Sequence, residues 1–117
     1  MLTAIFGLIL LQTEPIEPPT YTDSIRCVTA TSVYKLELTG EELARMSRAS
    51  TAWTAYIRQV WDPQITPVAQ LQQDVQAASE EHVLMNVEEP GRLFQVAVHC
   101  YNRIVAFAAE LQQESNE

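Results

Sequence analysis

The stretch PGRLFQVAVHCYNRIVAFAAEL, residues 90–111, decides the fold. Leu93, Ala97, Cys100, Ile104, Phe107 and Leu111 recur three and four apart, the spacing of one helix face, and Phe94, Val98, Tyr101 and Val105 widen that face. The polar stripe that remains, Arg92, Gln95, His99, Asn102, Arg103, Glu110 and Gln113, is narrow. So apolar a helix predicts that other helices cover most of it and that it is the central wall of the core. Pro90 suits its first turn, and Glu88 and Glu89 complement the positive end of its dipole.

Three further helices precede it. Asp62-Pro63 and Thr66-Pro67 are two cap-plus-proline starts for a helix reaching about Asn86, with Val68, Leu71, Val75, Ala78, His82 and Met85 on one face and Gln70, Gln73 and Gln76 outside. Before it, Thr39-Gly40-Glu41-Glu42 fits a capping box that opens a helix ending near Trp61. Its apolar row is Leu43, Met46, Ser50, Trp53, Ile57 and Val60, and the small residues Ser47, Ala49, Ser50, Thr51 and Ala52 let a neighbouring backbone come close. The first helix starts at Thr22 or Asp23 and runs to Leu38, with Cys27, Thr31, Tyr34 and Leu38 on one face and Ile25 and Val28 beside it. Its β-branched residues would also suit a strand, but the chain offers no second strand to pair with. Short connections make sequential helices antiparallel, so the fold expected is all-α, an up-down-up-down four-helix bundle over residues 22–113 followed by a polar tail, 114–117.

Residues 1–12 form an apolar N-terminal segment, with Leu2 to Leu11 interrupted only by Thr3 and Gly7, and residues 13–21 form a Pro-rich linker through Pro15, Pro18 and Pro19. The apolar run resembles the hydrophobic region of an export signal, although no Lys or Arg precedes it and no A-x-A pair follows. It is shorter than the ~20 residues of a membrane-crossing helix. A short membrane anchor and a helix that docks on the bundle or a partner are the other readings, and any membrane contact is expected through residues 2–11 alone. On this division, a chain beginning at Tyr21 should keep the whole bundle.

With 117 residues, 47% of them hydrophobic, the chain suffices for one domain with a real core. A net charge of -8 and scattered cations argue against a nucleic-acid surface, which needs a basic patch. Arg45 and Arg48 are the one helical pair of cations, and they read as a solvated face beside Glu41 and Glu42. Gly7, Gly40 and Gly91 are the only glycines, so no Gly-rich phosphate cradle is expected. The di-iron pattern requires Glu-x-x-His, but Ser79 stands three before His82 and Val96 three before His99. His82 then reads as a boundary histidine with a hydrogen-bond partner and His99 as a solvated one. No Gly-x-Ser-x-Gly or Ser-x-x-Lys surrounds Ser47 or Ser50. No metal, cofactor or catalytic group is expected.

Cys27 and Cys100 remain. If the first and last helices are antiparallel neighbours, Leu38 lies level with Pro90, placing Cys27 about 16 Å and Cys100 about 15 Å from that end at 1.5 Å per residue. Both sulfurs then share one layer, which predicts a disulfide and with it an oxidising, periplasmic or extracellular compartment. The functional expectation is a small acidic helical protein, exported, with a structural or protein-interaction role. Trp53 and Trp61 read first as core or boundary packing, and with Tyr56 they are its candidate ligand or partner surface. The alternative is a bundle that binds a small apolar ligand between its helices. Nothing in the sequence sets the oligomeric state.

Overall fold

The computed structural model describes residues 17–115, with side chains as far as Ala109. Residues 1–12 lie outside them, as do the side chains of Glu110, Leu111 and Gln113. The fold is a four-helix bundle: α1 (Tyr21–Tyr34), α2 (Gly40–Val60), α3 (Val68–Glu88) and α4 (Pro90–Ser115), with one 3₁₀ turn, Lys35–Glu37, extending α1. Described residues include no strand, so the β-branched run of α1 is helical. The last helix continues to Ser115, into the expected polar tail.

Cross-helix contacts give the directions. Ser32 Oγ meets Ser50 Oγ at 2.8 Å while Tyr56 reaches back to Pro19, so α1 and α2 are antiparallel. Tyr21 meets Asp74 and Thr29 meets His82, so α1 and α3 are parallel. Asp23 meets Arg103, Cys27 meets Cys100 and Tyr34 meets Phe94, so α1 and α4 are antiparallel. The helices therefore run up, down, up, down. Within that order α1 and α4 form the short diagonal, while α2 and α3 do not touch.

The centre is the α1–α4 pair: α4, as the hydrophobic pattern suggested, packs on all three other helices, and so does α1, which the pattern did not mark. α1 buries Ser24, Ile25, Cys27, Thr29, Ala30, Thr31 and Val33. Most of these are small, which lets three backbones approach one. Their hydroxyls are satisfied on their own helix: Ser24 Oγ donates to the Thr20 carbonyl (2.8 Å), Thr29 Oγ1 to Ile25 (2.9 Å) and Thr31 Oγ1 to Cys27 (2.6 Å). Self-satisfied polar groups bury without the usual penalty. No buried side-chain nitrogen or oxygen among the described residues lacks a partner. Against α1 pack two apolar clusters, one around Met46, Trp53, Ala97, Ile104 and Phe107, the other around Ala30, Val33 and Leu93.

The helix starts differ from expectation. α1 is capped by Thr20, not Thr22 or Asp23: Thr20 Oγ1 accepts from the Asp23 amide (3.1 Å) and Asp23 Oδ2 from the Thr20 amide (3.0 Å), a complete capping box. At Thr39 no side-chain cap forms. Gly40, the first residue of α2, stands at φ 63°, the left-handed region that glycine adopts without strain. At α3, Pro67 rather than Thr66 occupies the cap. The bundle also reaches back into the expected linker, because Pro19 is buried and its carbonyl accepts from Tyr56 Oη at 3.0 Å. Shortening the chain from a Glu17 start to a Tyr21 start removes that acceptor and the α1 cap. It should cost about 1–2 kcal/mol in urea unfolding while the bundle still unfolds cooperatively.

Candidate functional site

The candidate surface residues separate. Trp53 is fully buried and donates its indole N–H to the Cys100 carbonyl at 3.0 Å. Tyr56 is also in the core, edge-on to Phe107 with ring centroids 5.1 Å apart. Burial raises its phenol pKa, partly opposed by Arg103. Trp61 is half-buried in the α2–α3 connection, where its indole donates to the Thr66 carbonyl at 2.8 Å and ties the turn. Trp53 and Tyr56 are thus core residues and Trp61 a loop tie, so the three do not make one surface. The α2 face is rotated by about one position from the expected row: Ala49 and Tyr56 are buried with Met46, Ser50 and Trp53, while Leu43, Ile57 and Val60 are half-buried.

Cys27 and Cys100 are joined in a disulfide with their Cα atoms 5.4 Å apart, in the layer the helix arithmetic gave. Both are nearly inaccessible to solvent, which makes this cross-link structural rather than a reactive pair.

Instead, an aromatic and aliphatic surface lies on the flank of α4 that no described helix covers. Phe94 and Val105 are each 50% exposed, and Val98 and Tyr101 half-buried. Between this flank, α2 and the end of α1 runs a groove of about 220 Å³ lined by Tyr34, Leu38, Met46, Phe94, Val98 and Tyr101, with Glu42 and Arg45 on its rim. It continues along α2 and α4 into a second section of about 260 Å³, past Arg48, Ala49, Ala52, Val105 and Ala108. Phe94, Val98, Tyr101, Val105 and Ala108 are spaced four, three, four, three, the seam of a helix pair. From Phe94 to Ala108 the seam is about 21 Å long at 1.5 Å per residue. Phe94 stands edge-on to Tyr34 at 5.8 Å. Burial, helped by the Glu42 charge, raises the Tyr34 pKa.

Buried and half-buried polar links pin α1 to its neighbours. Asp23 Oδ2 accepts from Arg103 at 3.0 Å, tying the α1 cap to α4. The Thr20 amide above all, then the Thr20 hydroxyl and Arg103, hold the Asp23 carboxyl below its usual range against the opposing effect of burial. Tyr21 Oη donates to Asp74 at 2.8 Å, and burial with that hydrogen bond pushes its phenol up to about 12. His82, on the expected α3 row, has its Nδ1 2.9 Å from Thr29 Oγ1. Among the described residues no group of three or more His, Cys, Asp and Glu could hold a metal ion.

Burial lowers the His82 pKa, with Arg26 acting the same way and Glu81 and the Ala78 carbonyl opposing. In the unfolded chain His82 binds its proton near pH 6.5, whereas in the fold it does so only at lower pH. The stabilisation is therefore fully present above about pH 6.5 and is lost as pH falls from there toward the folded value. Unfolding free energy measured from pH 7.5 to 5 should fall across that window, and His82→Gln should flatten the curve.

Comparison with protein-family models, curated proteins and solved structures returns no match.

Proposed function

We propose that this protein is a small exported helical domain, fastened by its Cys27–Cys100 cross-link, that binds another protein in the α2–α4 groove. The observation that carries the reading is the uncovered stripe Phe94, Val98, Tyr101 and Val105. Single exposed apolar side chains are ordinary. A heptad-spaced row beside the small side chains of a parallel helix is a seat for a third helix. The fitting occupant is an amphipathic helix with apolar residues three and four apart and acidic residues toward Arg45 and Arg48. Arg45 pairs with Glu41 at 3.4 Å with both side chains mostly exposed, a weak contact that an incoming carboxylate can replace. Export is supported by the disulfide, which persists in oxidising compartments, together with the signal-like start of the sequence. No described helix is long and apolar enough to cross a membrane. The small-ligand alternative is less well supported, because Trp53, Leu93, Ala97 and Cys100 fill the space between the helices and the groove is open along its length.

A photo-crosslinking residue placed at Val98, with Gln72 on α3 as the control position, tests the reading in the native cell. One protein adduct at position 98, absent at position 72 and lost with Phe94→Asp, is expected. Identical adducts at both positions, or none at position 98, would overturn it. A small-molecule adduct would move the function to the ligand reading.

A further inference from the structure

The chain segregates its charges. From Leu43 to Val60 it carries Arg45, Arg48 and Arg58 and no Asp or Glu, whereas from Gln59 to Gly91 it carries Asp62, Asp74, Glu80, Glu81, Glu88 and Glu89 and no Lys or Arg. The first stretch is nearly all of α2, and the second contains α3. Because α2 and α3 lie across the long diagonal without touching, these opposite charges cannot neutralise one another inside the molecule. The protein is acidic overall but has a basic side and an acidic side, with Arg26 of α1 approaching α3 near His82.

Each side also has a shape. On α3, Val83, Leu84 and Val87 are 52%, 55% and 76% exposed, and with Glu80 they line a shallow trough of about 530 Å³. Three aliphatic side chains on one helical face, at least half in water, leave apolar area that association would bury. On α2 the corresponding face is small: Ser47, Thr51, Ala52 and Ala55 line a trough of about 360 Å³ beside Arg48. Arg58 stands with Thr54 and Ala55 at its far end. Arg48 and Arg58 are about 15 Å apart along the helix, and Glu80 and Glu88 about 12 Å, at 1.5 Å per residue. One face thus offers large apolar side chains between carboxylates, the other a shallow small-residue seat between guanidinium groups.

We propose that the protein self-associates head to tail, the acidic, aliphatic face of α3 in one copy seating on the basic, small-residue face of α2 in the next. The charge complementarity selects a second copy, because both halves of the match are on this chain. The two faces differ and lie on opposite sides, so the contact is heterologous: every added copy leaves one face of each kind free, and growth continues into open chains or closes as a ring. A single helix-on-helix seam covers less than the ~800 Å² per partner of a stable interface, so the association is weak and concentration-dependent. The α2 face shares Arg48 and Ala52 with the edge of the α2–α4 groove, but the association does not rest on that groove as a partner site, and Phe94→Asp on its α4 wall should leave it unchanged.

The test is sedimentation of the full chain up to about 1 mM, with two variants at exposed positions. Leu84→Asp with Val87→Asp blocks the α3 face, and Thr51→Glu with Ala55→Glu blocks the α2 face. The unmodified protein should form a series of species beyond the dimer, and each variant alone should be monomeric at concentrations at least tenfold above the onset of association. An equimolar mixture of the two variants should give one 1:1 dimer and nothing larger, since one variant keeps only its α2 face and the other only its α3 face. Unmodified protein that stays monomeric throughout overturns the proposal. So does association that survives in either variant alone, which would place the contact elsewhere, including in residues 2–11, or a mixture that stays monomeric.

Discussion

Trp53→Ala should lower the unfolding free energy by about 3–5 kcal/mol, the range for removing a large buried aromatic side chain. Trp53 has no exposed surface, lies in the cluster that joins α2 to α4, and stands edge-on to Tyr56 with centroids 6.2 Å apart. Its neighbours cannot collapse into the space, because Cys100 beside it is fixed by the disulfide. Trp53→Phe should cost less, about 1–2 kcal/mol, since most of the volume stays and the bond to the Cys100 carbonyl is lost. Urea unfolding with an unchanged slope is the measurement. A loss below about 1 kcal/mol for Trp53→Ala would mean that α2 and α4 are not packed through this residue.

Removing the cross-link should have an effect of similar size. The two cysteines are separated by 73 residues in sequence, and closing a loop of that length restricts the unfolded chain by roughly 4 kcal/mol in the chain-entropy account. For a domain of this size that corresponds to a drop in melting temperature on the order of 20 °C. Cys27→Ala with Cys100→Ala should match the effect of reductant on the unmodified protein, and reductant should then do nothing further to the double variant. Because Trp53 touches Cys100, combining Trp53→Ala with the double variant should cost less than the sum.

Much of this architecture is legible in the residues. The row from Val68 to Met85 on α3, the stop near Trp61 and the alternating directions follow from periodicity, proline placement and short connections. The shared layer of Cys27 and Cys100 follows from helical rise alone. What hydrophobic patterning cannot reveal is a centre made of Ser24, Thr29, Ala30 and Thr31. Such a helix is buried because it is small and because its hydroxyls bond to its own carbonyls, so it produces no strong apolar stripe. The informative sign was the near absence of charge and bulk between Asp23 and Tyr34, where Arg26 is the one charged residue. The α4 pattern marks a helix packed on all three others but not how much of it is covered: a wide apolar face looks the same whether other helices cover it or, as at Phe94 and Val105, leave half of it in water. Thr20-Tyr21-Thr22-Asp23 fits the capping pattern as well as Thr39 to Glu42 does, yet only the first forms the box, and the second has a left-handed Gly40 at its first helical position. Trp53, Tyr56 and Trp61 fit a core and a surface equally as sequence, because aromatic residues serve both, and only their neighbours tell which.

The bundle is closed covalently and, as we propose, in an oxidising compartment; the thiols of the protein in its own cells test both most directly. Cells quenched in acid, denatured with an alkylating reagent and digested without reductant should yield a peptide pair joined through Cys27 and Cys100 and no alkylated form of either cysteine. Recovery of both residues fully alkylated, with no joined pair, would contradict the account: the bundle would be held by packing alone, and the argument for export would lose its main support.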